Sequence, residues 1–180
     1  MKANHSPFLM MKKLIALALN VFVIALISSC SPEPKAAEPI EPIKFSDYNA
    51  SLISSYISNK ISDKIVRTFN GLYDSWKERC SQPDIAIHSN PVFYKQCTEY
   101  ESLFEYCSTM RAKAMPLVYE KVCEGEFLSV TLMEDLMSEE DKVLLSAIKS
   151  SLSESELKMG LPYIAKCFAV TAFERDYRKK

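Results

Sequence analysis

SDYNASLISSYISNKISDKIVRTFNGLYDSW, residues 46–76, is the stretch that decides the fold class of this chain. Its apolar residues recur every three or four positions, which is the period of a helix that buries one face. Ser46 and Asp47 are residue types that cap helix N-termini, so we predict that a long helix starts there. Gly71 costs such a helix about 1 kcal/mol, and we predict a bend or an end near it. The apolar positions are Leu52, Ile53, Tyr56, Ile57, Ile61, Ile65, Phe69, Leu72, Tyr73 and Trp76.

Helical periodicity continues downstream. The polar residues 81–91 end the first segment, and residues 92–114 predict a second helix. Pro116 fits the first turn of a third helix, which we predict to end near Gly125. Residues 129–132 have the β propensity of a strand, although a short helix fits their surroundings. The later predicted helices span residues 127–137, 139–151, from about 154, and 161–177.

Capping signals support two of these later starts. Ser138 followed by Asp141 marks a helix start, and Ser153 with Glu156 three residues on has the spacing of a capping box. Only three glycines occur in the chain, so the turn residues that a many-stranded β protein needs are scarce. The sequence therefore predicts an all-α protein, a compact bundle of five or six helices with short connections.

The leader has the composition of a secretory signal. Lys12 and Lys13 precede an apolar run over residues 14–27, and the small residues Ser28 and Ser29 follow it. A bilayer-spanning helix needs about 20 apolar residues, so a retained span is the weaker alternative. The second alternative is an ordinary secretory signal without lipidation.

Ile27-Ser28-Ser29-Cys30 resembles the lipobox of bacterial lipoproteins, an aliphatic residue and two small ones before a cysteine. The resemblance implies cleavage between Ser29 and Cys30 and acyl chains, palmitate among them, on Cys30. Two or three such chains hold a protein stably at a membrane. Ser31, rather than the Asp of inner-membrane retention, favours an outer-membrane location facing the periplasm in a Gram-negative cell.

Three regions follow from this interpretation: a signal peptide over residues 1–29, the lipidated Cys30 with a Pro-rich linker over 30–45, and a helical domain over 46–180. The four linker prolines, Pro32, Pro34, Pro39 and Pro42, block helix and sheet, and the 14 residues 31–44 extend up to about 40 Å. A proline-rich ligand for a partner is the alternative to a spacer.

Five cysteines remain after Cys30 in a compartment that oxidises thiols, so we expect most of them to be bridged. A chain reversal at Met115-Pro116 pairs Cys107 with Cys123, which is the preferred bridge. Cys80 and Cys97 flank the 81–91 loop, so a second bridge between them would clamp that hairpin. Cys167 is left over, and we interpret it as a buried thiol, with an intermolecular bridge or a reactive site as alternatives.

Recognisable catalytic motifs are missing. We therefore predict no catalytic residue, no metal and no cofactor, and we interpret His88 as a solvated loop residue. The acidic run 139–141 fits the stabilisation of a helix N-terminus. Arg175 and Arg178, with the terminal lysines, contact either the last helix dipole or anionic lipid. The aromatics that form either core or a groove are Tyr94, Tyr100, Phe104, Tyr106 and Tyr119.

The net charge of the mature chain limits the classes of partner that it can bind. The leader contains Lys2, Lys12 and Lys13 and no acidic residue, so its removal leaves 19 basic and 23 acidic residues. The mature chain then carries a net charge of about −4, which disfavours binding to nucleic acid. Our leading hypothesis is a non-catalytic module that is anchored to the membrane through Cys30 and binds an envelope protein or a small apolar ligand. The alternatives are an envelope hydrolase or thiol-redox protein, and a structural envelope lipoprotein.

Overall fold

The computed structural model describes residues 41–86 and 90–178, and within these ranges the regular structure is helical, with no strand. None of the described helices has the length and apolar character needed to cross a bilayer. The helices are α1 (Asp47–Lys60), α2 (Asp63–Cys80), α3 (Pro83–Ala86), α4 (Pro91–Tyr94), α5 (Thr98–Thr109), α6 (Arg111–Glu124), α7 (Phe127–Leu136), α8 (Glu139–Ser151), α9 (Glu154–Leu157) and α10 (Leu161–Phe173), followed by a π-helical turn, Glu174–Arg178.

The all-α prediction is confirmed, whereas the predicted number of helices is wrong. Seven of the described helices have ten or more residues, and α3, α4 and α9 are single turns of four. The difference has three sources: an extra break at Ile61, the separate single turns α3 and α4, and a predicted break that lies at a different residue.

The first break lies at Ile61 rather than at Gly71. Ile61 has an extended backbone (φ −107°, ψ 128°) and ends α1, and Ser62 precedes the first turn of α2. Gly71 lies inside α2 on its exposed side, with open space where a Cβ would stand. Its cost to the helix is outweighed by the burial of neighbouring apolar residues such as Phe69 and Tyr73.

The second break lies at Met110 rather than at Pro116. Met110 has a non-helical backbone (φ −102°, ψ 25°) and alone separates α5 from α6. Pro116 is an interior residue of α6, although an interior proline costs a helix about 3 kcal/mol. The residues around it, from Ala114 to Tyr119, are all buried, and their packing offsets that cost.

Several predicted boundaries are confirmed. α6 ends at Gly125, whose φ of 88° lies in the left-handed region that glycine adopts without strain. Capping boxes form at the starts of α8 and α9, where Ser138 and Ser153 accept from the backbone N–H three residues on. The segment after Gly125 is helical and not a strand, because α7 buries Val130, Leu132 and Met133 against the core.

The centre of the fold is the contact between α6 and α10. Both helices are buried on most of their circumference, which is typical of helices surrounded by other elements. α10 packs against α6, α8, α1 and α7, and its small residues Ala165, Ala169 and Ala172 permit a close approach. The Phe168 ring meets the Tyr119 ring of α6 edge to face, with centroids 6.4 Å apart.

The residues just before α1 also contact α10. The Ile43 backbone N–H donates to Thr171 Oγ1 at 3.0 Å, and the Lys166 ammonium lies 4.8 Å from the centroid of the Phe45 ring. Lys44 forms an ion pair of 2.8 Å with Glu156. Residues 43–45 are therefore fixed to the helical body.

A buried carboxylate joins three distant parts of the chain. Asp141 is 1% exposed. Its oxygens accept from Arg111 at 3.0 Å, from Arg175 at 2.6 Å and from the Ser138 backbone N–H at 2.9 Å. Arg111 also donates to the Leu136 carbonyl. One side chain thus ties the start of α6, the start of α8 and the π-helical turn together.

The same contacts set the pKa of Asp141. Burial raises it, but the hydrogen bonds from Arg175 and Ser138 more than offset burial, so the pKa lies below the ordinary 3.8. A lowered folded-state pKa means that this stabilisation is complete above about pH 4 and is lost as the pH falls through the folded-state value.

We predict that Asp141→Asn lowers the free energy of unfolding by about 2–3 kcal/mol at pH 7, because two guanidinium groups lose their common carboxylate. Urea titrations at pH 7 and at pH 3 measure the free energy of unfolding. The difference in this free energy between parent and variant should be smaller at pH 3. Glu140→Gln is the control, since it removes an exposed charge from the same helical turn. Equal stability of parent and Asp141→Asn at pH 7 would contradict the prediction.

Candidate functional site

A polar cleft runs between α2 and the start of α5. It consists of two adjoining depressions of about 240 Å³ and about 400 Å³. Both are open to solvent. The lining residues are Leu72, Ser75, Glu78, Arg79, Gln82, Thr98, Glu99 and Ser102.

Hydrogen bonds occupy both serine hydroxyls and the Arg79 guanidinium of the cleft. Ser75 donates to the Gly71 carbonyl at 2.8 Å, and Ser102 donates to the Thr98 carbonyl at 2.9 Å. Arg79 makes a bidentate pair with Asp84, at 2.8 and 2.7 Å. A serine nucleophile needs an adjacent base that takes its proton, and neither hydroxyl is paired with one.

Two thiols beside this cleft contact the same backbone oxygen. Cys80 is the last residue of α2, and Cys97 is the N-cap of α5. Their sulfurs point at one acceptor, the Tyr94 carbonyl oxygen, at 3.8 Å from Cys80 Sγ and 3.7 Å from Cys97 Sγ. The Trp76 indole N–H donates to the same oxygen at 2.6 Å. We call Cys80 and Cys97 the thiol pair.

Burial keeps these thiols protonated. It raises the pKa of Cys80 to about 11, and it also raises the pKa of Cys97, which is partly exposed. For Cys107 and Cys123 burial raises the pKa to about 12. The thiolate is the nucleophilic form, and catalytic cysteines have lowered values, so these surroundings are those of unreactive thiols.

The structure contains neither of the two predicted disulfides, because the five cysteines after Cys30 are free thiols. Its geometry disfavours a bridge between Cys107 and Cys123. Because the break lies at Met110, Cys107 is near it and Cys123 is at the far end of α6. A helix rises about 1.5 Å per residue, which puts the two about 5 Å and about 20 Å from Met110. Bridged Cα atoms lie within about 7 Å. Cys167 is fully buried in α10, which agrees with its interpretation as a buried thiol.

Some predicted residues lie outside the described ranges. Ser29 and Cys30, the cleavage and lipidation positions, are among them, and so is His88. Among the residues that the structure does describe, no group of three or more His, Cys, Asp or Glu side chains is arranged to hold a metal ion.

The charged and aromatic candidates have structural partners. Arg175 pairs with Asp141 and Asp176, and Arg178 pairs with Glu174. Each guanidinium group therefore has an acidic partner within the protein, although the Arg178 side chain remains half exposed. Of the aromatic candidates, Tyr100 and Tyr119 are buried core residues, and Tyr94, Phe104 and Tyr106 pack partly buried against the core.

Sequence reasoning missed an apolar surface around α4. Val92 and Phe93 of α4 are 51% and 36% exposed, and Phe127 at the start of α7 is 54% exposed. The Tyr94 ring joins the two elements, because it meets the Phe127 ring edge to face at 6.4 Å. We call Val92, Phe93 and Phe127 the α4 surface. The pattern gave no signal for it, since α4 looked like the first turn of a longer helix.

Ion pairs border the α4 surface. Lys77 pairs with Glu126 at 2.6 Å, and Lys95 pairs with Asp135 at 2.6 Å. Exposed apolar residues surrounded by polar ones are typical of protein–protein contact sites.

Comparison with protein-family models, with curated proteins and with solved structures finds no match for this chain.

We predict that the reduced protein reacts slowly with iodoacetamide at pH 7.5, and that Cys97 reacts first. Its side chain reaches solvent, whereas Cys107 and Cys167 are fully buried. Mass spectrometry of peptides from timed samples measures the order. The same protein in guanidinium chloride is the control, in which the differences among these sites should vanish. Rapid labelling of Cys107 in the folded protein would disagree with this structure.

Proposed function

We propose that this protein is a membrane-anchored envelope lipoprotein whose helical body is a non-catalytic module that binds another envelope protein. The observation that carries the anchor is the order Lys12-Lys13, apolar run, Ile27-Ser28-Ser29-Cys30. The acyl chains on Cys30 hold the mature chain at the outer membrane, on its periplasmic side. The linker acts as a spacer between bilayer and body.

The chemistry of the described residues supports a binding role over catalysis. The Ser75 and Ser102 hydroxyls of the cleft donate to backbone carbonyls, and Cys80, Cys97, Cys107 and Cys123 have raised pKa values. A serine or cysteine hydrolase or a thiol-redox enzyme needs an activated side-chain nucleophile. The α4 surface supplies what a binding module needs, an exposed apolar area bordered by ion pairs.

Oxidation of cysteines belongs to this proposal. A secreted chain meets enzymes that form disulfides, so we retain a disulfide staple as part of the proposed mature protein.

We predict that Cys30→Ser abolishes both labelling with radioactive palmitate and retention in the membrane fraction, because the acceptor sulfur is gone. Cells that express the full chain are labelled, fractionated and probed with an antibody to the body. Cys123→Ser serves as the control and should keep both properties. Undiminished labelling and membrane retention of Cys30→Ser would refute the lipid anchor.

A second experiment locates the binding surface. A photo-crosslinking amino acid replaces Val92 or Phe127 of the α4 surface in intact cells, and Val143 is the matched control. Val143 is also an exposed apolar residue, at 71%, but it lies on α8. We expect a discrete adduct of higher mass from positions 92 and 127 and none from 143. Equal adducts at all three positions, or none at any, would count against the α4 surface as the contact site.

A further inference from the structure

The structure adds a geometric argument for the predicted bridge between Cys80 and Cys97. Cys80 and Cys97 lie on either side of the segment that contains α3 and α4. Both sulfurs contact the Tyr94 carbonyl oxygen, so the distance between them is no greater than the sum of 3.8 and 3.7 Å. No other two cysteines of the described residues share an acceptor among the hydrogen bonds of the structure.

We infer that Cys80 and Cys97 form a disulfide in the mature protein, and that this bond fixes the segment that presents the α4 surface. The inference rests on the proposed function, because it requires export to an oxidising compartment. It deepens that function, since Val92 and Phe93 lie between the two cysteines.

The bond forms without leaving a buried polar group unpaired. Thiols are weak donors, so losing both S–H contacts to Tyr94 costs little. Trp76 continues to donate to that carbonyl at 2.6 Å, so the oxygen keeps its strongest hydrogen bond. The sulfurs then need to turn away from a shared oxygen and toward each other.

Oxidation needs a partner disulfide, which we take to be that of an envelope thiol oxidoreductase or oxidised glutathione. The Cys97 thiol is the more accessible, so it loses its proton and attacks one sulfur of the oxidant, which releases one oxidant thiol. The Cys80 thiol loses its proton and attacks Cys97 Sγ in the mixed disulfide, which releases the second. Two electrons and two protons pass to the oxidant, two S–H bonds break and one S–S bond forms.

The surroundings of the pair leave a route for the oxidant. Arg79 and Glu99 line the open cleft and are also close enough to influence the charge of both cysteines. Cys97 is partly exposed and Cys80 is buried, so a disulfide oxidant reaches Cys97 first.

The first experiment uses the whole mature chain, residues 30–180, with Cys30→Ser so that the anchor sulfur does not react. The reduced protein is placed in a buffer of reduced and oxidised glutathione, alkylated and mapped by mass spectrometry. We expect one cross-linked peptide pair that contains Cys80 and Cys97, and an intact mass lower by two hydrogen atoms. Free thiols at both positions, or a bridge to a different cysteine, would overturn the inference.

Matched variants test the effect of the bond. Dithiothreitol should lower the Tm of the parent by on the order of 5–10 °C, because the closed loop no longer restricts the unfolded chain. Cys80→Ser and Cys97→Ser should each remove this sensitivity, whereas Cys123→Ser should retain it. The peptide map of the parent decides the inference if a variant fails to fold, as judged by circular dichroism.

A second experiment tests the Cys80–Cys97 pairing and the envelope location independently of each other. Full-length protein is expressed in bacteria, thiols are blocked in intact cells, and the state of the pair is mapped. A bridge in the glutathione buffer with free thiols in the cell would refute the envelope location and leave the pairing intact. Free thiols in both would refute the pairing, whatever the location.

Discussion

The packing of α10 against α6 is the constraint on which the rest of the structure depends. Each helix is apolar on most sides, so each is stable only when other elements cover it. α10 meets α1, α7 and α8 as well as α6, and residues 43–45 lie along it. The burial of α6 also explains why Pro116 is tolerated inside a helix and why the chain breaks at Met110 instead.

The displaced break decides which cysteines can meet. With α6 starting at Arg111, Cys123 is carried to the far end of that helix and away from Cys107. Cys80 at the end of α2 and Cys97 at the start of α5 instead lie near each other, because both sulfurs contact the Tyr94 carbonyl oxygen. The proposed disulfide, the cleft beside it and the α4 surface therefore belong to one region of the molecule, and the proposed anchor on Cys30 would hold that region at the envelope.

Local signals predicted much of the helical content. Ser138 and Ser153 initiate helices through contacts within one turn, and Gly125 ends one through its own backbone, so neighbouring residues suffice to specify them. The break at Ile61 was missed because apolar periodicity continues through it. The partners of Asp141 were missed because Arg111 and Arg175 are 30 and 34 residues away.

The sequence by itself determined the helical class, several helix ends and the prediction of a lipid anchor, since all depend on residues that are neighbours along the chain. Tertiary structure decided which sulfurs approach each other, which charges are neutralised and which apolar residues stay exposed. Those outcomes depend on contacts between residues far apart in the chain. Phe127 illustrates the difference: its hydrophobicity is evident from its identity, but its 54% exposure follows only from the packing around α7.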